Sequence, residues 1–251
     1  MKFSKLKKFA TIAIVSGFII TTGNALVVSA DTATSNGTAT FIENTDPGTA
    51  IDPTDPDKPI TGSEDTTTNI GNLKIVVRPT LEFGNTVISA SNKIYWANAL
   101  KVDDNHHSGT WEPRYAQVAD DRGTFEGWQM TVTQKKQFTS PSNKVLEGAK
   151  ITFNNGEKAT TATGANNSGV TVNKTIDIVN IGPTFKYEVM DAKLNSGSGN
   201  FVARYGNEET QYLNSVTKEN HHNISLLVIG GTASKEKYTT DMEWNLENTP
   251  K

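Results

Sequence analysis

Apolar and polar residues alternate with a period of two over much of the second half of the chain. Between Val170 and Ile178 the even positions Val170, Val172, Ile176 and Ile178 are apolar, with Lys174 the exception. Phe185, Tyr187 and Val189 face one way, and Lys186 and Glu188 the other. Trp128, Met130 and Val132 alternate with Gln129, Thr131 and Thr133. From Tyr238 to Leu246, Tyr238, Thr240, Met242, Trp244 and Leu246 share one face. Side chains of a strand point alternately to its two sides, so this pattern predicts half-buried strands. Further strands are predicted at Leu73–Val77, Ala116–Val118, Lys150–Phe153, Phe201–Arg204 and Ile224–Ile229. Clusters such as Asn154-Asn155-Gly156, Asn166–Gly169, Ser196–Asn200 and Gly230-Gly231 separate them. No helical stripe exceeds two turns. The expected fold is all-β, an antiparallel sandwich or barrel spanning residues 70–251. Irregular loops are expected over the long segment Leu81–Arg114.

The first 69 residues read differently. Residues 1–30 carry four lysines and no acid, then an apolar run from Phe9 to Ile20, then the short side chains Val28-Ser29-Ala30. That order predicts a secretory signal peptide cleaved between Ala30 and Asp31. Thr21, Thr22, Gly23 and Asn24 interrupt the run before the ~20 apolar residues that a membrane anchor needs. Residues 31–69 hold eight acids, one base (Lys58) and four X-Pro steps at Pro47, Pro53, Pro56 and Pro59. X-Pro steps disfavour helix, and so little apolar surface does not offset the entropy of ordering. A disordered acidic Pro/Thr-rich linker is expected there.

Charge and composition narrow the function. Residues 70–251 hold 19 bases and 19 acids, so no basic stripe points to nucleic acid. With no cysteine there is no disulfide framework, thiolate metal site, lipid-accepting cysteine or cysteine nucleophile. Thirty-four threonines in the chain suit strands with polar outer faces.

Two segments match one another: Gly127-Trp128-Gln129-Met130-Thr131-Val132 and Met242-Glu243-Trp244-Asn245-Leu246. Each sets a Trp and an aliphatic side chain on the same side of a strand. They resemble the two motifs of the WxL domain of Gram-positive surface proteins. Gly71-Asn72-Leu73, Arg78–Gly84 and Ile88-Ser89-Ala90 are similar to that family's N-terminal stretch. Val118–Thr124 and Leu146–Ile151 flank the first motif as expected, and Tyr238–Leu246 through Thr249-Pro250 resembles the C-terminal one. Met130 replaces the usual Leu, a volume-conserving change.

The resemblance implies non-covalent attachment to the cell wall, with peptidoglycan as ligand, and membrane-anchored surface proteins as partners. It fits an exported chain ending at Pro250-Lys251 with no sorting motif or hydrophobic tail. The expected location is secreted, at the cell wall and surface, with no membrane span in the mature chain. Trp128 and Trp244 admit two roles, core packing or wall contact, and their apolar neighbours weigh toward the core. Trp96 and Trp111, among polar residues, are alternative contact candidates. The second functional reading is a structural or adhesive subunit docking on a membrane-anchored partner or host matrix protein.

Other constellations weigh less. The histidines form two doublets, His106-His107 and His221-His222, and adjacent strand residues face opposite ways, so each doublet offers one ligand. Asp103-Asp104-Asn105 and Asp120-Asp121 lack the ligand ladder of a calcium loop; Asp120, Asp121 and Arg122 are expected to form a turn with a surface ion pair. No metal or cofactor is expected. No catalytic motif appears, and the chain is not expected to be an enzyme.

Overall fold

The computed structural model describes residues 35–42, 44–63, 65–105, 109–206 and 220–248, of which 220–222 by backbone alone. The segment expected to be a signal peptide, with its expected Ala30–Asp31 cleavage site, lies outside them. The chain divides into two units, residues 1–41 and 42–251. In the first, residues 35–41 carry no regular element.

The second unit is built from antiparallel strands in three four-stranded sheets and a hairpin. The first sheet runs β1 (Leu73–Val77), β5 (Tyr115–Asp120), β12 (Gly199–Tyr205), β8 (Gly156–Ala159). The second runs β10 (Ile176–Ile178), β7 (Lys150–Phe153), β13 (Asn220–Val228), β2 (Lys93–Asn98). The third runs β14 (Met242–Glu247), β6 (Trp128–Gln134), β11 (Tyr187–Ala192), β9 (Val170–Val172). β3 (Leu100–Val102) and β4 (Thr110–Glu112) form the hairpin. The expected all-β antiparallel architecture is therefore the one observed; α1 (Gly164–Ser168) is a five-residue helix.

The run Val170–Ile178 is not one strand. β9 pairs with β11 in the third sheet, and β10 pairs with β7 in the second. The chain changes sheets at Asn173–Thr175, where Lys174 breaks the apolar alternation. The Asn173 side-chain amide donates to the Glu188 carbonyl at 2.8 Å, and Gly156 N–H donates to the Lys174 carbonyl at 2.9 Å. A continuous strand would have buried the Lys174 ammonium, which is costly without a partner. The Leu81–Arg114 segment is also more regular than expected, holding β2, β3 and β4.

The main core lies between the sheets and includes Trp128, Met130, Ile151, Phe153, Phe201 and Ile224. A second core covers the other face of the first sheet, so β5 is buried along its whole length. Ala116 and Val118 enter the main core, while Tyr115 and Ala119 enter the second.

The second core corrects the expected linker. Ala50, Ile51 and Ile60 are buried in it, against Val76, Val77, Leu100 and Val202. Ile60 N–H donates to the Ala50 carbonyl and Asp52 N–H to the Lys58 carbonyl, each at 2.8 Å, folding 50–60 into a tight strap. Gln117, fully buried, accepts from Ile51 N–H at 3.0 Å and donates to the Thr49 carbonyl at 2.9 Å. Arg204 donates to the Pro53 carbonyl at 2.8 Å. Asp65 and Arg114 form a 2.7 Å ion pair with almost no exposure. Thr67 N–H bonds the Val76 carbonyl at 2.8 Å, covering the outer edge of β1. Few apolar side chains are needed because the sheet supplies buried polar partners for the strap's backbone, which composition does not reveal.

Candidate functional site

The two tryptophan motifs occupy neighbouring strands. β14 pairs with β6 so that Trp244 lies opposite Val132 and Leu246 opposite Met130. Paired residues of an antiparallel ladder share a face, so Trp128, Met130, Trp244 and Leu246 stand on one side of the third sheet. Segments separated by more than a hundred residues thus form a single apolar surface.

Within it the two tryptophans differ. Trp128 is fully buried, and its indole N–H donates to the Gly197 carbonyl at 2.9 Å. Its ring centroid lies 6.1 Å from that of Phe201. Gly197 has φ +85°, and a Cβ there would sit 2.7 Å from the Trp128 indole nitrogen, so glycine alone fits this lid. Met130 is also fully buried. Both residues of the first motif thus lie in the main core. Trp244 is half-buried on an edge strand, 6.2 Å from Phe153 in a T-shaped contact. Leu246, likewise half-buried, helps line an open groove of about 500 Å³ with Ile70, Leu73, Lys74 and Ile75.

Arg122 ties the two motifs together. It reaches both Asp120 oxygens, at 2.9 and 2.8 Å, and donates to the Gly127 carbonyl at 2.9 Å, just before Trp128. It also bonds Glu126 and Asn248, the latter just beyond β14. Hydrogen bonding to Asp120 holds the guanidinium further above its ordinary pKa. The expected surface ion pair is instead mostly sequestered, with 8% and 1% of the two side chains exposed. Asp121 pairs with Lys74 at 3.0 Å, so both carboxylates are occupied by cations of the chain itself.

The remaining candidates are dispersed. Trp111, half-buried in β4, lies opposite Lys101, whose ammonium is 5.9 Å from the ring centroid. Trp96, half-buried, lies in β2 of the second sheet. Asp104 accepts from Thr61 N–H at 2.8 Å. His106 and His107 lie outside the described residues, as do the side chains of His221 and His222 in β13. Among the described residues, no group of three or more His, Asp or Glu is placed to hold a metal ion, and no helix is long and apolar enough to cross a membrane.

One polar array escaped the motif reading. Lys150, Thr152, Asp177 and Ser225 alternate with core residues, so they stand on the outer face of the second sheet. The outward phase of β7, β10 and β13 is readable in sequence; their adjacency is not.

A fold of sheets on a shared core, with both motifs on adjacent strands, defines an all-β module assembled around the paired motifs. The family model for the WxL domain, described as surface cell wall-binding, matches residues 28–250. The chain belongs to that family, whose work is attachment at the cell wall rather than catalysis. No curated protein and no solved structure matches it.

Proposed function

We propose that the chain is exported through its N-terminal segment and held at the wall by non-covalent binding of the β domain to peptidoglycan. The match of the wall-binding family over residues 28–250 carries this reading. The folded unit, residues 42–251, holds 20 bases and 26 acids, and this net negative charge disfavours simple capture by wall polyanions, since long-range attraction needs a net opposite charge. The mature chain, starting at Asp31, is expected to co-sediment with purified sacculi from which anionic polymers have been stripped. Retention should change less than about twofold between ~0.05 and ~0.3 M salt, because screening weakens only attraction between opposite charges. Absence of binding to stripped sacculi, or a steep fall with salt, would refute the proposal.

A further inference from the structure

The third sheet ends in an open edge. β14 pairs with β6 alone, in an unbroken register from Met242↔Gln134 to Glu247↔Gln129. Lys135 N–H donates to the Asp241 carbonyl at 2.8 Å, whereas the Gln134 carbonyl turns away from β14 and accepts from Gly182 N–H at 2.9 Å. Bonded and non-bonded pairs alternate along an antiparallel ladder, so Met242, Trp244 and Leu246 direct their N–H and C=O groups outward. Among the described residues nothing bonds these groups. The strand has no proline and no bulge to blunt it, and such an edge is a template for another strand. The apolar groove of Ile70, Leu73, Ile75 and Leu246 lies beside it. Across the groove β1 is already closed, since Thr67 N–H bonds the Val76 carbonyl and the Asn69 amide bonds the Ile75 carbonyl at 3.3 Å.

A segment suited to that edge lies upstream. From Thr32 to Ile42 no residue is charged and none is proline. Thr38, Thr40 and Ile42 are β-branched, as strands prefer. Residues 35–42 form no regular element, and Phe41 and Ile42 are 93% and 91% exposed. An uncharged, proline-free, β-prone run with exposed apolar side chains has the composition of strands that pair between chains.

The chemistry of the edge selects the occupant. A helix has its backbone groups bonded internally and would leave those of β14 unmatched. An extended peptide matches them at every second residue. Ala39 and Phe41 fall on one side of such a strand, and Thr38, Thr40 and Ile42 on the other. Phe41 then enters the groove beside Leu246 and Leu73. Since Phe41 is exposed in the chain that carries it, the segment that fills the groove comes from another copy.

We propose that residues 37–42 of one copy add as a strand to the outer edge of β14 in a second copy, with Phe41 in its groove. Donor and acceptor are different surfaces, so the chains join head to tail and the contact does not close on itself. The proposal is independent of what the wall ligand is.

The test is sedimentation equilibrium of a chain beginning at Asp31. Its weight-average mass should at least double between ~1 and ~300 μM, as mass action requires of a weak association. Phe41→Ser should weaken association at least about tenfold, the scale of one lost aromatic burial, with an unchanged melting temperature. Leu246→Lys should do the same from the acceptor side. Mixed together, the two variants should form a 1:1 dimer and nothing larger, because each supplies the half the other lacks. If Leu246→Lys unfolds, a synthetic peptide of residues 36–44 takes its place and should bind the Phe41→Ser protein one to one. Hydrogen exchange should slow at the Trp244 and Leu246 amides on association, while Glu243 and Asn245, already bonded to β6, stay unchanged.

A parent that remains monomeric at ~300 μM overturns the proposal. So does undiminished association of Phe41→Ser, a mixture without the dimer, or unslowed Trp244 and Leu246 amides in the oligomer. Slowed amides in a monomer, lost on Phe41→Ser, would place the segment on its own chain and also overturn it. Phe41→Ser should still sediment with stripped sacculi, so wall binding and self-association succeed or fail separately.

Discussion

Trp128→Ala is expected to lower stability by about 3–5 kcal/mol, the range for removing a large buried aromatic. In a domain of this size that corresponds to a fall of roughly 6–20 °C in melting temperature. Two physical losses combine. The indole is fully buried beside Phe201, and its removal leaves a void that the surrounding strands fill only in part. The Gly197 carbonyl also loses its 2.9 Å donor. Trp244→Ala should cost less, no more than about 2 kcal/mol, because the ring is already half exposed on an edge strand. Thermal melts by circular dichroism compare the two directly. Equal falls, or a Trp128→Ala protein melting like its parent, would contradict the buried-core role of the first motif. Loss of wall binding by Trp128→Ala therefore reports unfolding, and binding measurements on motif variants need a melting curve beside them.

The difference between the motifs explains what the chain's pattern disclosed. Alternation located β6 almost to the residue, because one of its faces lies in the main core; β1, expected as a further strand, is buried on both faces, with Ile75 in the main core and Val76 in the second. Alternation was less informative where a strand is buried on both faces. Tyr115–Asp120 shows no alternation in burial, since successive residues enter two different cores. It also could not reveal that Val170–Ile178 divides between two sheets, as a polar crossover of three residues preserves the phase of its flanks. The motif residues were recognisable by their neighbours in sequence. The outer row of the second sheet was not, because Trp96, Ser225, Thr152 and Asp177 come from four strands and meet only through their register.

The N-terminal strap gives the other large expected effect. A chain beginning at Ile70 keeps every strand of the three sheets yet should not fold cooperatively. Without the strap, Val76, Val77, Tyr115 and Val202 lose the cover of Ala50, Ile51 and Ile60. Each buried isoleucine side chain is worth roughly 1.5–3 kcal/mol. Gln117 loses its bonds to Ile51 and Thr49, and Arg114 loses Asp65. Removing one partner of a buried ion pair costs about 3–5 kcal/mol, because a charge remains out of water. Those losses together are comparable with the whole stability of a typical domain, about 5–15 kcal/mol. The family match, which starts at residue 28, is consistent with the strap belonging to the binding unit. The point variant Asp65→Ala isolates the ionic part. It should lower the urea midpoint substantially, whereas Lys58→Ala, which breaks the exposed 2.7 Å pair with Asp55, should leave it unchanged. The comparison matters for function, since a truncated domain that failed to bind walls would otherwise be read as lacking a ligand contact in residues 31–69. A truncated protein with a sharp, parent-like urea transition would show instead that the strap lies on an already complete fold.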